Sequence, residues 1–152
     1  MLSKLKYIGT KTEDLLDVYH LYIRSVLEYC SVVFHSSLTA EQAAKLETVQ
    51  RVALFAILGD NYVSHDAALE MSSLSLLSER REARVQSFCH KALKHPHHAK
   101  MFPINVKDSN REVRDREVFK VNYARTEFYQ KSAVIQCQHI LNKLAKDGKI
   151  KL

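Results

Sequence analysis

Residues 38–59 read LTAEQAAKLETVQRVALFAILG, and this stretch decides the fold because its start signal, its period and its stop signal agree. Thr39 with Gln42 three residues on forms a capping box, Leu38 and Ala43 stand where a hydrophobic staple sits, and Gly59 is placed for a left-handed C-terminal cap. Ala43, Leu46, Val49 and Ala53 follow helical spacing and leave Glu41, Lys45, Glu47 and Thr48 for solvent. From Val52 to Leu58 every residue is apolar, and a helix apolar all round must be covered on all sides. A short buried strand would fit those seven residues alone, but not their continuity with the capped, amphipathic front half. The spacing therefore predicts a central helix whose second half is wrapped by other elements.

Working outward, the composition suits an all-α chain. The 152 residues hold only 3 Gly and 2 Pro, which leaves little hairpin chemistry, and 46% hydrophobic with 26% charged residues is a globular balance. The expected architecture is an irregular bundle of about four to five helices around the central one, with a partly extended C-terminal segment. Residues 1–94 are expected to form a helical bundle, and 95–152 a connecting segment plus a last helix on the same core, as one compact domain. Cys30, Cys89 and Cys137 are odd in number and widely spaced, so they read as core thiols in a reducing compartment rather than a disulfide framework. No apolar run approaches a membrane span and the first residues lack a signal-peptide core, so an intracellular location with no membrane partner is expected.

Other helices are legible on either side. With Thr12 as N-cap, Leu15, Tyr19, Tyr22, Val26 and Cys30 form one face, widened by Leu16, Ile23 and Leu27. Asp17, His20, Arg24 and Glu28 fall opposite. Tyr7, Tyr19, Tyr22 and Tyr29 read as core tyrosines rather than a base-stacking platform. Ser64 should cap a short helix HDAALEM, and a long helix should run from about Leu76 to Leu93 on Leu77, Val85, Phe88, Cys89 and Ala92. Arg81 falls on that inner face and needs a partner, with Glu28 and Asp66 as candidates. ERREAR, Glu79 to Arg84, reads as a solvated face paired within itself. HPHH at His95 to His98 and KDSNREVRDRE, Lys107 to Glu117, read as connections, with Met101 and Phe102 docking on the core. Phe119, Val121 and Tyr123 alternate with polar residues as an extended segment. Ser132 to Lys146 should form a last helix on Ala133, Cys137, Ile140, Leu141 and Leu144, with a fraying tail KDGKIKL.

Chemistry is sparse. There is no glycine-rich phosphate loop, GxSxG or HExxH, no recognised zinc spacing among Cys89, His90 and His95, and residues two apart on a helix separate Cys137 from His139. No cofactor and no metal are expected. The net charge of +6 and a pI near 9.2 admit an acidic partner such as nucleic acid.

The phrases YIGTKTEDLLDVYHLYIRSVLEYCSVVFHSSLT, KLETVQRVALFAILG, ERREARVQSFCHKALKHP and YARTEFYQKSAVIQCQHILNK occur in this order. Together they resemble the C-terminal region of reverse transcriptases from jockey-like non-LTR retrotransposons, over essentially the whole chain. The resemblance implies the helical thumb and the segment after it, which help hold template and primer while a palm domain, absent here, polymerises. It therefore implies a piece that is not an enzyme by itself, with a template-primer duplex, a palm domain or a second copy as partners. Arg24, Glu28 and Tyr29 stand in the family's IRPVLEY phrase, Arg80 and Arg81 in its paired arginines, and Arg125, Thr126 and Tyr129 in its RTERY-like phrase. Ser25 and Val32 stand where the family commonly has proline, and Phe34 where it has tryptophan. With Arg81 placed inward, Arg80, Arg84, Lys91 and Arg125 are the expected phosphate contacts. The alternative is a protein interaction fragment, whose apolar faces once met the missing palm.

Overall fold

A computed structural model describes residues 1–105 and 117–148 of the chain. The connection Lys107 to Glu117 lies outside the described residues except for Glu117, as do the last four residues of the tail. In chain order the helices are α1 (Leu2–Tyr7), α2 (Thr12–Val18), a π-helical turn (Tyr19–Arg24) and α3 (Ser25–Glu28). Then come α4 (Ser31–Phe34), α5 (Ala40–Leu58), α6 (His65–Met71), α7 (Leu77–Lys94), α8 (Pro96–Ala99), α9 (Glu127–Gln130) and α10 (Ala133–Lys146). The fold is all-α. It has more helical pieces than the four or five expected, because four-residue turns such as α4, α8 and α9 stand where loops were expected. Among the described residues the extended backbone makes only one antiparallel bridge, Ile104 to Phe119.

The chain divides into two compact units, 1–31 with 38–82 and 32–37 with 83–152. The division falls inside α7, because Val85, Cys89 and Ala92 share a core cluster with Phe102, Phe119, Cys137 and Leu141.

In the first unit α5 carries its expected start signal, and Gly59 ends it with a positive φ but with ψ −121°, outside the left-handed helical cap that was expected. The Gln42 N–H donates to Thr39 Oγ1 at 3.2 Å while the Thr39 N–H donates to Gln42 Oε1 at 3.0 Å. Gly59 adopts φ 59°, and a side chain there would collide with Lys6, whose ammonium donates to the Ile57 carbonyl at 2.7 Å. That ammonium meets the partial negative charge of the helix end. The expectation of an all-round covered second half is corrected. Ala53, Leu54, Ile57 and Leu58 are buried, but Val52 and Phe55 are each 60% exposed. An amphipathic stripe suffices to anchor this helix, and the remaining apolar residues form an open flank.

The face expected for the first long helix is also corrected. Lys11, not Thr12, is its N-cap residue, and Leu15 and Tyr19 are buried as expected. Beyond them Tyr22, Val26 and Tyr29 are largely exposed, Cys30 is exposed, and Glu28 is 2% exposed. The cause is the π-helical turn. Its wider turn inserts one residue, which advances the later side chains of this helix by about 100°, so the inward position moves to Glu28. The helix ends there, and a turn with Cys30 at φ 53° leads into α4. Tyr7 is 94% exposed as well, leaving Tyr19 the one buried member of the tyrosine group.

The second unit replaces a sheet with two carboxamides. Phe119 carries both of its backbone groups into the interior, where Asn142 Oδ1 accepts its N–H at 2.7 Å and Asn142 Nδ2 donates to its carbonyl at 3.0 Å. One turn earlier on α10, Gln138 accepts the Asn122 N–H at 3.0 Å and donates to the Met101 carbonyl at 3.2 Å. Buried backbone groups must be paired, so α10 serves as the missing neighbouring strand. Phe102 docks on the core as expected, whereas Met101 stays 41% exposed.

Candidate nucleic-acid interface

The four expected phosphate contacts begin on α7, and the structure divides them. The first turn of α7 is tied into the first unit by ion pairs. Arg80 Nε and Nη2 donate to the two oxygens of Glu28 at 2.5 and 3.3 Å, a side-on fork that occupies the guanidinium. The hydrogen bond to Glu28 strengthens the proton affinity of Arg80 further, against its partial burial. Arg81 is 1% exposed and donates to Glu47 Oε1 at 3.4 Å. ERREAR is therefore not paired only within itself, and the partner of Arg81 is Glu47 rather than Glu28 or Asp66. Arg80 is held by Glu28 and has 30% of its side chain exposed.

Glu47 is itself a correction, having been expected in solvent. Its carboxylate accepts the N–H groups of Leu77 at 3.1 Å and Ser78 at 2.7 Å, capping the start of α7 from a different helix. A negative group at a helix N-terminus meets both unpaired donors and the favourable end of the macrodipole.

Arg84, Lys91 and Arg125 are exposed and belong to the second unit. On α7 the inner positions are Val85, Cys89 and Ala92, so Arg84, Lys91 and Lys94 occupy the outward side. Arg84 and Lys91, seven residues apart, stand about 10 Å apart along the axis. That span equals about three steps of 3.4 Å measured along a duplex axis.

The charge around these residues is one-sided. The first unit holds 8 Lys and Arg against 11 Asp and Glu, a balance of −3, while the second holds 15 against 6, a balance of +9, which together give the +6 of the chain. Between Glu82 and Asp108 the sequence has no acidic residue, while Arg84, Lys91, Lys94, Lys100 and Lys107 fall in that interval. Lys94, Lys100 and Lys120 were missed in the sequence, and all three are exposed. A running charge balance along the chain would have found the first two.

No protein family, curated protein or solved structure matches the chain.

Reactive side chains are kept apart or kept in. Cys137 is buried in a shared apolar cluster with Cys89, and His139 is exposed. The hydrogen bond that Cys89 donates to Cys137 and then burial push the Cys89 thiol up and keep it protonated, while the same bond lowers Cys137 against its own burial. Cys30 is exposed, which corrects its placement as a core thiol. Among the described residues no three His, Cys, Asp or Glu side chains gather where a metal ion could be held. No helix there is long and apolar enough to cross a membrane.

Two ionisable groups of the first unit are displaced from their ordinary values. Burial pushes the Tyr19 phenol up to about 12, with the charge of Arg24 opposing. Burial and then Arg24 lower the proton affinity of His20.

Proposed function

We propose that this chain is a non-catalytic, duplex-holding piece of the kind that forms the thumb and post-polymerase region of non-LTR reverse transcriptases. It binds a template-primer-like polyanion weakly and without sequence preference through its basic second unit. The observation that carries this reading is the +9 balance of that unit, with Arg84, Lys91 and Lys94 exposed along the outward side of α7. Lysine and arginine rows of this kind neutralise phosphates and release counterions, which gives affinity without base readout. The chain's phrase-by-phrase resemblance to that family supports the same reading. The test is an RNA-DNA hybrid titrated against the chain and against its Lys91→Ala/Lys94→Ala variant. The double variant is expected to bind more weakly to every sequence and to lower the salt slope by about 2. Equal affinity and slope for both proteins would refute the reading.

A second reading rests on a different observation. Leu21, Tyr22, Val26 and Tyr29 are 65 to 75% exposed at helical spacing, and Val52 and Phe55 form another open apolar flank. Exposed apolar groups in such number mark surfaces that meet another polypeptide, such as a palm domain or a second copy. Sedimentation over a concentration series tests it. A mass that stays monomeric, unchanged by Tyr22→Ser/Val26→Ser, would speak for the first reading alone.

A further inference from the structure

The second unit holds an open groove of about 480 Å³, lined by the extended stretch 121–124 on one side and by Gln130, Ile135, Gln136 and His139 on the other. That volume is in the range of small-ligand sites and admits one nucleoside-sized group. We propose that this groove takes a single unpaired nucleobase of a nucleic-acid strand. The inference deepens the nucleic-acid reading and rests on it for the surrounding strand.

The groove's residue types suit that ligand. Tyr123 lines it with 89% of its surface exposed, so its ring spends little contact area on the protein itself and offers a face for stacking. His139 supplies a second aromatic ring, and Ile135 an apolar floor. The polar lining is made of carboxamides, of which Gln130 spends its Nε2 on the Ala124 carbonyl at 3.4 Å, while the Asn122 amide offers a donor and an acceptor side by side as the edge of a base does. Gln136 Nε2 is used on the Gln130 carbonyl at 2.9 Å, leaving its oxygen as an acceptor. The Asn122 N–H is fixed by Gln138, which sets the backbone of the stretch, while its side-chain amide has no partner among the described residues.

Charge complements the stacking. Lys120 and Arg125, both exposed, bracket the stretch 121–124 in the chain, and between them there is no acidic residue. A base entering the groove would thus have a cation on the chain at either end for its flanking phosphates. A duplex cannot offer such a base without unstacking it, so the ligand is single-stranded or a frayed end.

The test uses the full chain, isotope-labelled, titrated by NMR with uridine 5′-monophosphate and separately with ribose 5-phosphate. The nucleotide is expected to shift the signals of Tyr123, His139 and the Asn122 side-chain amide, and the sugar phosphate to leave them in place. Tyr123→Ala should weaken binding of oligouridine about tenfold with the salt slope and hybrid affinity unchanged, and Tyr123→Phe should restore it. Equal shifts with both small molecules, shifts confined to other residues, or unaltered oligouridine binding by Tyr123→Ala would overturn the groove. The wider reading fails separately, if the Lys91→Ala/Lys94→Ala variant keeps the hybrid affinity and salt slope of the parent chain.

Discussion

The two units solve the same problem, the pairing of buried polar groups, with different chemistry. The first uses mainly ions, beside one buried amide, Gln50, which donates to the Ser75 carbonyl at 3.2 Å. Glu47 joins the start of α7 and Arg81 to the central helix, and Glu28 clasps Arg80. The second uses neutral amides, Asn142 and Gln138, to seat extended backbone on α10. Ionic pairing consumes charge inside the fold, so two of the first unit's eight cations are committed to carboxylates. Amide pairing involves no charge, and among the described residues of the second unit Arg84, Lys91, Lys94, Lys100, Lys120 and Arg125 are exposed.

The largest effect should come from cutting the ionic core. Glu47→Ala removes two capping acceptors and leaves the 1% exposed guanidinium of Arg81 without its carboxylate. Breaking a buried pair from one side costs about 3 to 5 kcal/mol, so urea denaturation should show a loss of that order. Hydrogen exchange should quicken first in 38–82. A loss below 1 kcal/mol would mean that Glu47 is not the clasp.

Asn142→Ala is the matching cut in the other unit. It leaves the N–H and carbonyl of Phe119 buried without partners, and each orphan costs about 1 to 3 kcal/mol. The expected loss is about 3 kcal/mol, with exchange quickening first in 117–142. If both variants opened the same amides first, the contrast between the two cores would be broken.

The pH response sharpens the comparison on the ionic side. The folded Tyr19 phenol sits at about 12 against 10 when unfolded, so the unfolded chain loses its proton first. The stability this represents is fully present below pH 10 and is lost as pH rises from 10 toward 12, to about 2 to 3 kcal/mol. Tyr19→Phe should remove that alkaline slope. It should be neutral or mildly stabilising at pH 7, because the Tyr19 hydroxyl is buried without a hydrogen-bond partner. His20 acts at the other end, since its folded affinity for the proton is lowered by burial and then by Arg24. The unfolded state binds the proton first, so stability is lost as pH falls below 6.5. A His20→Gln variant with an unchanged acid limb would exclude this contribution.

The smallest change is chemical rather than energetic. With a thiol-specific disulfide reagent at pH 8 the folded chain should react at Cys30 alone, and at all three thiols in urea. Rapid reaction of Cys89 in the folded chain would show that the second core opens readily.

Much of this was legible in the sequence where the determinant is local. The capping box at Thr39, the Ser64 cap, the inward Arg81 and the extents of α7 and α10 depend on residues three or four apart. What escaped depends on distant partners. A π-helical turn has no signature in apolar spacing, and one inserted residue was enough to turn Tyr22 and Val26 outward and Glu28 inward. Glu47 reads as an outer residue of an amphipathic helix until α7 arrives to use it. Of the four cations chosen as phosphate contacts, Arg80 is held by a glutamate 52 positions away. Lys94 and Lys100 were overlooked because the overall +6 hides a division into −3 and +9.

The proposed meeting of the second unit's surplus cations with a polyanion is tested most directly by the affinity of the unaltered chain for an RNA-DNA hybrid between 50 and 200 mM salt. Three to four neutralised phosphates give a log-log slope near −3, so affinity should fall roughly 60-fold over that range, from a dissociation constant on the order of 10⁻⁶ M. No binding at 50 mM salt, or binding that ignores salt, would contradict it.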